Sequence, residues 1–277
     1  MLLQKKLFLI IVFFLTTSLF SSQSIVINFA PLPTKKASKN IEELLPISSY
    51  LSEKLSIDIK YVYKKDYQDI LDGFKDGTID IAYLGPLPFI SLKREYKYVE
   101  PIITFKQKNG SSSYRCVLSK FKDDELNTSK QIKVALTQPL STCGYLMSKM
   151  LLKNEFDIEL EKQKYDYTMS HTNALISVLR GDFLIAGAKD NIAKRFESLG
   201  MEIIATSEPL PGFSLVVNTK TLSKKQINDI QKTLLNTPKE VYETWEDVTS
   251  YGFIKADFKD YDTLNVDFNI PKYGNIE

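Results

Sequence analysis

Four short segments of this chain set polar or reactive side chains directly after β-rich apolar runs. In LTQPLSTCGYL, Leu136 to Leu146, an apolar run passes through a proline turn into Ser141-Thr142 and then into an amphipathic stretch. A Ser or Thr at that point caps a helix, because its oxygen accepts one of the N–H groups that the first turn leaves unpaired. The other N–H groups and the positive end of the helix dipole then face outward, an anion site that needs no Lys or Arg. Cys143 and Gly144 follow, and a glycine there lets a ligand approach the backbone closely. The only histidine, His171, comes after Ser170 at the start of another helix and can donate to an anion. Asp190 closes the run IAGAKD, Ile185 to Asp190, and should border a cleft, since ligands of open α/β sheets sit beyond the carboxyl ends of strands. By the same rule DIAYLGPLPF, Asp80 to Phe89, places Tyr83 and the Gly85-Pro86 turn at the cleft, with the N–H groups near Leu87 to Ile90 facing it. Singly, each segment has a plainer reading as a structural cap, an ordinary turn or a surface histidine.

Other chemistries fit less well. Cys143 at a helix start would have a lowered pKa, with His171 as its base, but no acid partner or protease signature accompanies them. Cys116, Cys143 and His171 show no metal-ligand spacing, and there is no P-loop and no GxGxxG. We therefore expect no catalytic residues, no metal and no cofactor. Cys116 and Cys143 permit one bridge across 26 intervening residues, worth roughly 3 kcal/mol by loop closure. Two separate buried thiols are the alternative.

The elements around these segments suggest an exported α/β protein. Residues 1–23 read as a signal peptide: Lys5 and Lys6, an apolar run from Leu7 to Phe20, then small residues near the expected cleavage point, Ser21 to Gln23. Removing Lys5 and Lys6 from 36 basic residues leaves 34 against 34 acidic ones, so nothing suggests nucleic-acid binding. The mature chain is expected in the periplasm, soluble, monomeric and without a membrane span. Strands are expected at Ile25 to Phe29, Ile57 to Tyr63, Ile79 to Leu84, Pro101 to Phe105, Tyr114 to Leu118, Ile132 to Leu136, Lys164 to Thr168, Phe183 to Ala188 and Phe213 to Val217. Helices are expected at Ile41 to Leu55, with Pro46 in its first turns, and at Asp66 to Lys75, Thr142 to Leu152, Thr172 to Leu179, Asn191 to Leu199, Ser223 to Leu235 and Pro238 to Trp245. The pattern is that of βα units around a mostly parallel sheet. QKNGSSS, Gln107 to Ser113, and SEPLPG, Ser207 to Gly212, punctuate it twice, suggesting two crossings between lobes, residues 24–110 with 210–277 and residues 111–209.

DIAYLGPLPFI at Asp80 to Ile90, STCGYL at Ser141 to Leu146, SHTNALISVLRGDFLIAGAKD at Ser170 to Asp190 and GFIKADFKDYD at Gly252 to Asp262 together resemble one family. It is the phosphonate/phosphite/phosphate-type periplasmic binding proteins of ABC transporters, in the type II, transferrin-like group. That resemblance implies a two-lobed α/β fold with two hinge crossings, a small oxyanion buried between the lobes, and delivery to a membrane permease. It assigns Ser141, Thr142 and the N–H groups of Cys143 and Gly144 to the anion, with His171 beside them. Asp190 takes the place of a specificity residue, and Tyr83 and Phe89 line the other wall. Where the family commonly has a third small hydroxyl residue this chain has Cys143, and where it has a tyrosine this chain has Phe89. A Cys116–Cys143 bridge stiffening the anion loop follows as a hypothesis. Two alternatives remain: a periplasmic sensor subunit that uses the same trap, and an enzyme acting through Cys143.

Overall fold

The computed structural model describes residues 25–33, 37–262, 264, 266 and 268–276. The expected signal peptide lies outside the described residues.

The chain runs β1 (Ile25–Ala30), α1 (Ala37–Leu55), β2 (Ile57–Tyr61), α2 (Tyr67–Asp76), β3 (Ile81–Leu84), α3 (Pro86–Glu95) and β4 (Val99–Phe105). After a crossing come β5 (Ser113–Tyr114), β6 (Cys116–Phe121), β7 (Lys133–Leu136), α4 (Ser148–Phe156), β8 (Lys164–Tyr167), α5 (His171–Leu179), β9 (Ile185–Lys189), α6 (Asp190–Ala193) and β10 (Met201–Thr206). The return passes through β11 (Leu210–Pro211) to β12 (Ser214–Asn218), α7 (Lys224–Leu235) and β13 (Phe253–Lys255).

These strands form two sheets, ordered β13-β4-β12-β3-β1-β2 and β10-β6-β9-β7-β8. Neither is mostly parallel. β1 pairs in parallel with β2 and β3, and β7 with β8 and β9. The returning chain, however, inserts β12 antiparallel between β3 and β4, and β6 enters antiparallel to β9. Two crossings force this, because a strand arriving from the other lobe enters at the opposite end of the sheet. Where the crossings pass each other, β5 and β11 pair as a two-stranded ribbon, Leu210 opposite Tyr114.

Helices cover both faces of the first sheet, which accounts for its continuous apolar strands. Ile27, Phe29, Leu215 and Val217 pack with Leu44, Ile47 and Leu51 of α1 and Ile230 of α7. Ala82, Leu84 and Val216 pack with Ile70 and Phe74 of α2 and Phe89 and Leu92 of α3. Local chemistry sets the ends of α2: Asp66 accepts the Asp69 N–H at 2.9 Å, and Gly77 terminates it at φ 78°. Helix α1 starts at Ala37, four residues earlier than its apolar spacing indicates, so Pro46 lies mid-helix and not in the first turns.

Cys116 of β6 is bonded to Cys143, and no free cysteine is found among the described residues. No helix of the described residues is long and apolar enough to cross a membrane.

Candidate functional site

β7 stops at Leu136, and the chain turns through Thr137 to Leu140 before re-entering helix. Ser141 Oγ accepts the Gly144 N–H at 3.0 Å. The Ser141 carbonyl accepts from both Tyr145 and Leu146, so the first turn, Thr142–Met147, is π-helical and runs directly into α4. Consequently the Gly144 N–H is spent on the cap. The N–H groups of Thr142 and Cys143 meet no protein acceptor among the described residues. Gly144 serves packing and not ligand approach, because a Cβ there would lie 1.9 Å from Thr137 Oγ1. Gly144→Ala should therefore lower the midpoint of urea unfolding, at the overpacking cost of about 1–3 kcal/mol or more, and Thr137→Gly should recover part of it.

From the other lobe, β3 ends at Leu84, and Gly85-Pro86 opens α3. Gly85 lets the Phe213 ring come close, 3.1 Å from where a Cβ would stand. The Leu87 N–H donates to Thr142 Oγ1 across the gap at 3.0 Å, and Gln138 Nε2 donates to the Pro33 carbonyl at 3.0 Å. These two bonds join the lobes across the cleft. The first of them also uses one of the α3 donors expected to face a ligand, the Leu87 N–H.

The cleft between the lobes holds a cavity of about 640 Å³. Tyr67, Tyr83 and Gly85 line it from one side, and Ser141, Thr142, Cys143, His171 and Lys189 from the other. Two expected residues are elsewhere. Phe89 is fully buried in its own lobe, with its ring 4.7 Å from that of Tyr261, because three positions into α3 the side chain has turned toward the sheet. Asp190 is the first residue of α6, where its carboxylate lies 3.7 Å from Lys194 and its N–H donates to the Arg115 carbonyl.

Lys189, one position earlier and last in β9, lines the cleft in place of Asp190. Its ammonium donates to Gln107 Oε1 at 3.2 Å and lies over the Tyr114 and Phe213 rings, 4.8 and 5.4 Å from their centres. Among the described residues it pairs with no carboxylate. Burial pulls its pKa down to about 8, and Asp190 opposes only part of that. His171 Nδ1 is buried without a protein partner. Burial and then the Lys189 charge lower its pKa to about 4, opposed by the Gly187 carbonyl, so the imidazole is neutral at neutral pH. The Tyr114 hydroxyl is likewise buried without a partner, and burial raises its pKa. It sits near Thr142, whose oxygen already accepts from Leu87. A cation without a counter-ion, two unpartnered buried polar atoms and two free N–H groups thus meet in one cleft.

Sequence reading did not find Lys189, Tyr114, Tyr67 or Phe213. The signals were slight: Lys189 adjoins the residue chosen, and Tyr114 adjoins the polar linker.

Comparison with known proteins agrees with this geometry. The family profile described as "ABC transporter, phosphonate, periplasmic substrate-binding protein" matches residues 29–261. A phosphate-import protein, PhnD, of Mycolicibacterium smegmatis is 24% identical over 125 residues, which are 43% of this chain and 39% of that protein. This match thus spans about two fifths of the relative's length. PhnD1 from Prochlorococcus marinus in complex with methylphosphonate superposes with a TM-score of 0.73 at 17% identity, over 85% of this chain and 94% of that one. A binding protein component of an ABC phosphonate transporter from Pseudomonas aeruginosa gives 0.72 at 19% identity, over 86% and 83%. Both share the two-lobed fold. With the family profile matching most of its length, the chain belongs to the periplasmic substrate-binding proteins of phosphonate ABC transporters.

Proposed function

We propose that the protein captures one small tetrahedral oxyanion, a phosphonate, phosphite or phosphate-like species, between its lobes and delivers it to the permease of an ABC importer. The uncompensated Lys189 ammonium inside the cleft carries this reading, since a buried charge with no partner is costly until a ligand supplies one. The free N–H groups of Thr142 and Cys143 and the Ser141 cap complete a set of groups suited to phosphoryl oxygens, while neutral His171, with one ring nitrogen on the Gly187 carbonyl, offers Nδ1 as an acceptor to a protonated phosphoryl oxygen. Tyr83 and Gly85 close the opposite wall. The methylphosphonate bound to the P. marinus relative supports a phosphorus oxyanion as the cargo.

No covalent step belongs to this function: the open form binds, the hinge ribbon lets the lobes close, and the closed form docks. Residues 24–110 with 210–277 are assigned to one lobe and residues 111–209 to the other, with the stretch around Pro271 and Asn275 reaching across to the second. Residues 1–23 are removed on export, and the mature chain acts as a monomer in the periplasm. The bridged Cys143 has no free thiol for nucleophilic catalysis, which favours capture over an enzyme.

Calorimetric titration of methylphosphonate and phosphate into the mature chain tests this, with one site per chain expected and none for acetate. His171 adds a second check. Its pKa of about 4 predicts that, once the ionisation of the ligand is accounted for, the imidazole adds no pH dependence between about pH 5 and 7, whereas a charged imidazole in the complex would make binding weaken as pH rises across that range.

A further inference from the structure

We infer that the cargo carries a flat apolar organic group, at least the size of a benzene ring, on its phosphoryl head. This inference rests on the oxyanion reading and refines it. At water's share of about 30 Å³ per non-hydrogen atom, a bare tetrahedral oxyanion of five such atoms fills roughly 150 Å³. The cleft holds about 640 Å³ while the lobes are joined by the Leu87–Thr142 and Gln138–Pro33 bonds. Beyond the polar groups around Lys189 and Thr142, its walls include the apolar Leu32, Tyr63, Val248, Met169 and Ile192, with Lys39, Glu43 and Lys65 also at the lining. Two of these are large apolar side chains kept in solvent at the cleft, Tyr63 at 45% and Met169 at 50% exposure, one from each lobe. Met169 is held at φ 71°, an uncommon conformation for a residue other than glycine, by its N–H bond to the Thr137 carbonyl and by Gln138 donating to its own carbonyl. An aromatic ring between Tyr63 and Met169 would cover both, with the favourable contacts of ring on ring and sulfur on ring.

The test is calorimetry on the mature protein with phosphate, methylphosphonate, phenylphosphonate and phenyl phosphate. A phenyl compound should bind at least about tenfold tighter than methylphosphonate. Met169→Ala should remove most of that advantage and leave methylphosphonate unchanged. Whichever phenyl compound binds tighter tells a phosphonate from a phosphate ester, and either result upholds the inference. If methylphosphonate or phosphate binds as tightly as both phenyl compounds, the inference fails and the oxyanion reading stands. If nothing binds, both fail.

The structure assigns the described residues after Tyr261 as a latch between the lobes. This segment leaves the first lobe at Tyr261, whose hydroxyl is 2.7 Å from Ser214 Oγ, and at Phe268, whose ring lies under Arg94 of α3. It then docks on β8, the open edge of the second sheet. Asn275 N–H donates to the Tyr165 carbonyl, Asn275 Oδ1 accepts the Tyr165 N–H, and Asn275 Nδ2 donates to the Gln163 carbonyl, all at 2.8 to 2.9 Å. Tyr167 hydroxyl donates to the Pro271 carbonyl at 2.8 Å. Gly274 passes so close that a Cβ would lie 2.4 Å from Asp166 Oδ1. The segment covers an edge that would otherwise expose ladder groups, and it makes a third connection between lobes that must give way or stretch for them to part. X-ray scattering from the ligand-free mature chain tests this without reference to any cargo. Gly274→Ala and Asn275→Ala should each shift the radius of gyration to a larger value, with unchanged far-ultraviolet dichroism. Wild-type values in both variants would overturn the latch.

Discussion

Lys189→Met should bind methylphosphonate and phosphate at least about 100-fold more weakly than the wild type, yet unfold at a higher urea concentration. Both effects come from one buried charge. Removing one partner of a desolvated charge pair typically costs about 2–5 kcal/mol of binding, which sets the first magnitude. In the ligand-free protein the same ammonium has only Gln107 and two ring faces for company, so a hydrophobic side chain of similar shape relieves its desolvation and stabilises the fold. A lysine with a purely structural role would give the opposite second result. The pH dependence follows from the lowered pKa of about 8. Below that value Lys189 is charged and its own contribution to affinity is flat, so any change there follows the second ionisation of the ligand. Above it the free protein must take up a proton to bind, and affinity falls. Stability of the ligand-free wild type should rise between about 8 and the ordinary lysine value of 10.5, because there the unfolded chain still holds a proton that the folded chain has released. Lys189→Met should lose both trends, in calorimetry and in urea unfolding at matched pH.

Removing the Cys116–Cys143 bond should have the next largest effect. The bond ties β6 of the second sheet to the helical turn Thr142–Met147, and it spans a sequence separation of 27. Closing a loop of that length stabilises by about 3 kcal/mol in the chain-entropy account. The double variant Cys116→Ala with Cys143→Ala should lose about that much in urea unfolding, and more weakly bound methylphosphonate should accompany it. The two sulfurs fill a packed core, since Cys116 is fully buried and Cys143 is 3% exposed. Cys143 also bears one of the two N–H groups left free for an anion. An unchanged unfolding midpoint in the double variant would mean that packing alone holds the loop.

Much of the site was legible because its signals are local. Ser141, Ser170 and Gly85 announce a cap or a turn within a few residues of a strand end, and the structure brings all three segments to one cleft. What failed depended on side-chain direction or on distant chain. Asp190 stands one position beyond Lys189, and at the end of a strand one position is enough to turn a side chain to the other face. Phe89 was misplaced because α3 itself was not foreseen, and without its start at Pro86 the direction of each side chain is undetermined. Three-residue β13 is too short for any period to show, and β12 pairs antiparallel only because the chain has crossed twice. Docking of Asn275 on β8 leaves no local trace at all, since its partners lie over 100 residues away.

On the proposed function, a cleft around Lys189 traps a tetrahedral oxyanion. The most direct test of that trapping is the thermal midpoint of the mature wild-type chain with methylphosphonate or phosphate, against chloride and acetate at matched ionic strength. A ligand that binds the native state alone must raise that midpoint, increasingly so with concentration above its dissociation constant. A rise with the phosphorus oxyanions, absent with chloride and acetate and absent in Lys189→Met, is the result predicted. Equal midpoints in all four salts, or an equal rise in Lys189→Met, would contradict it.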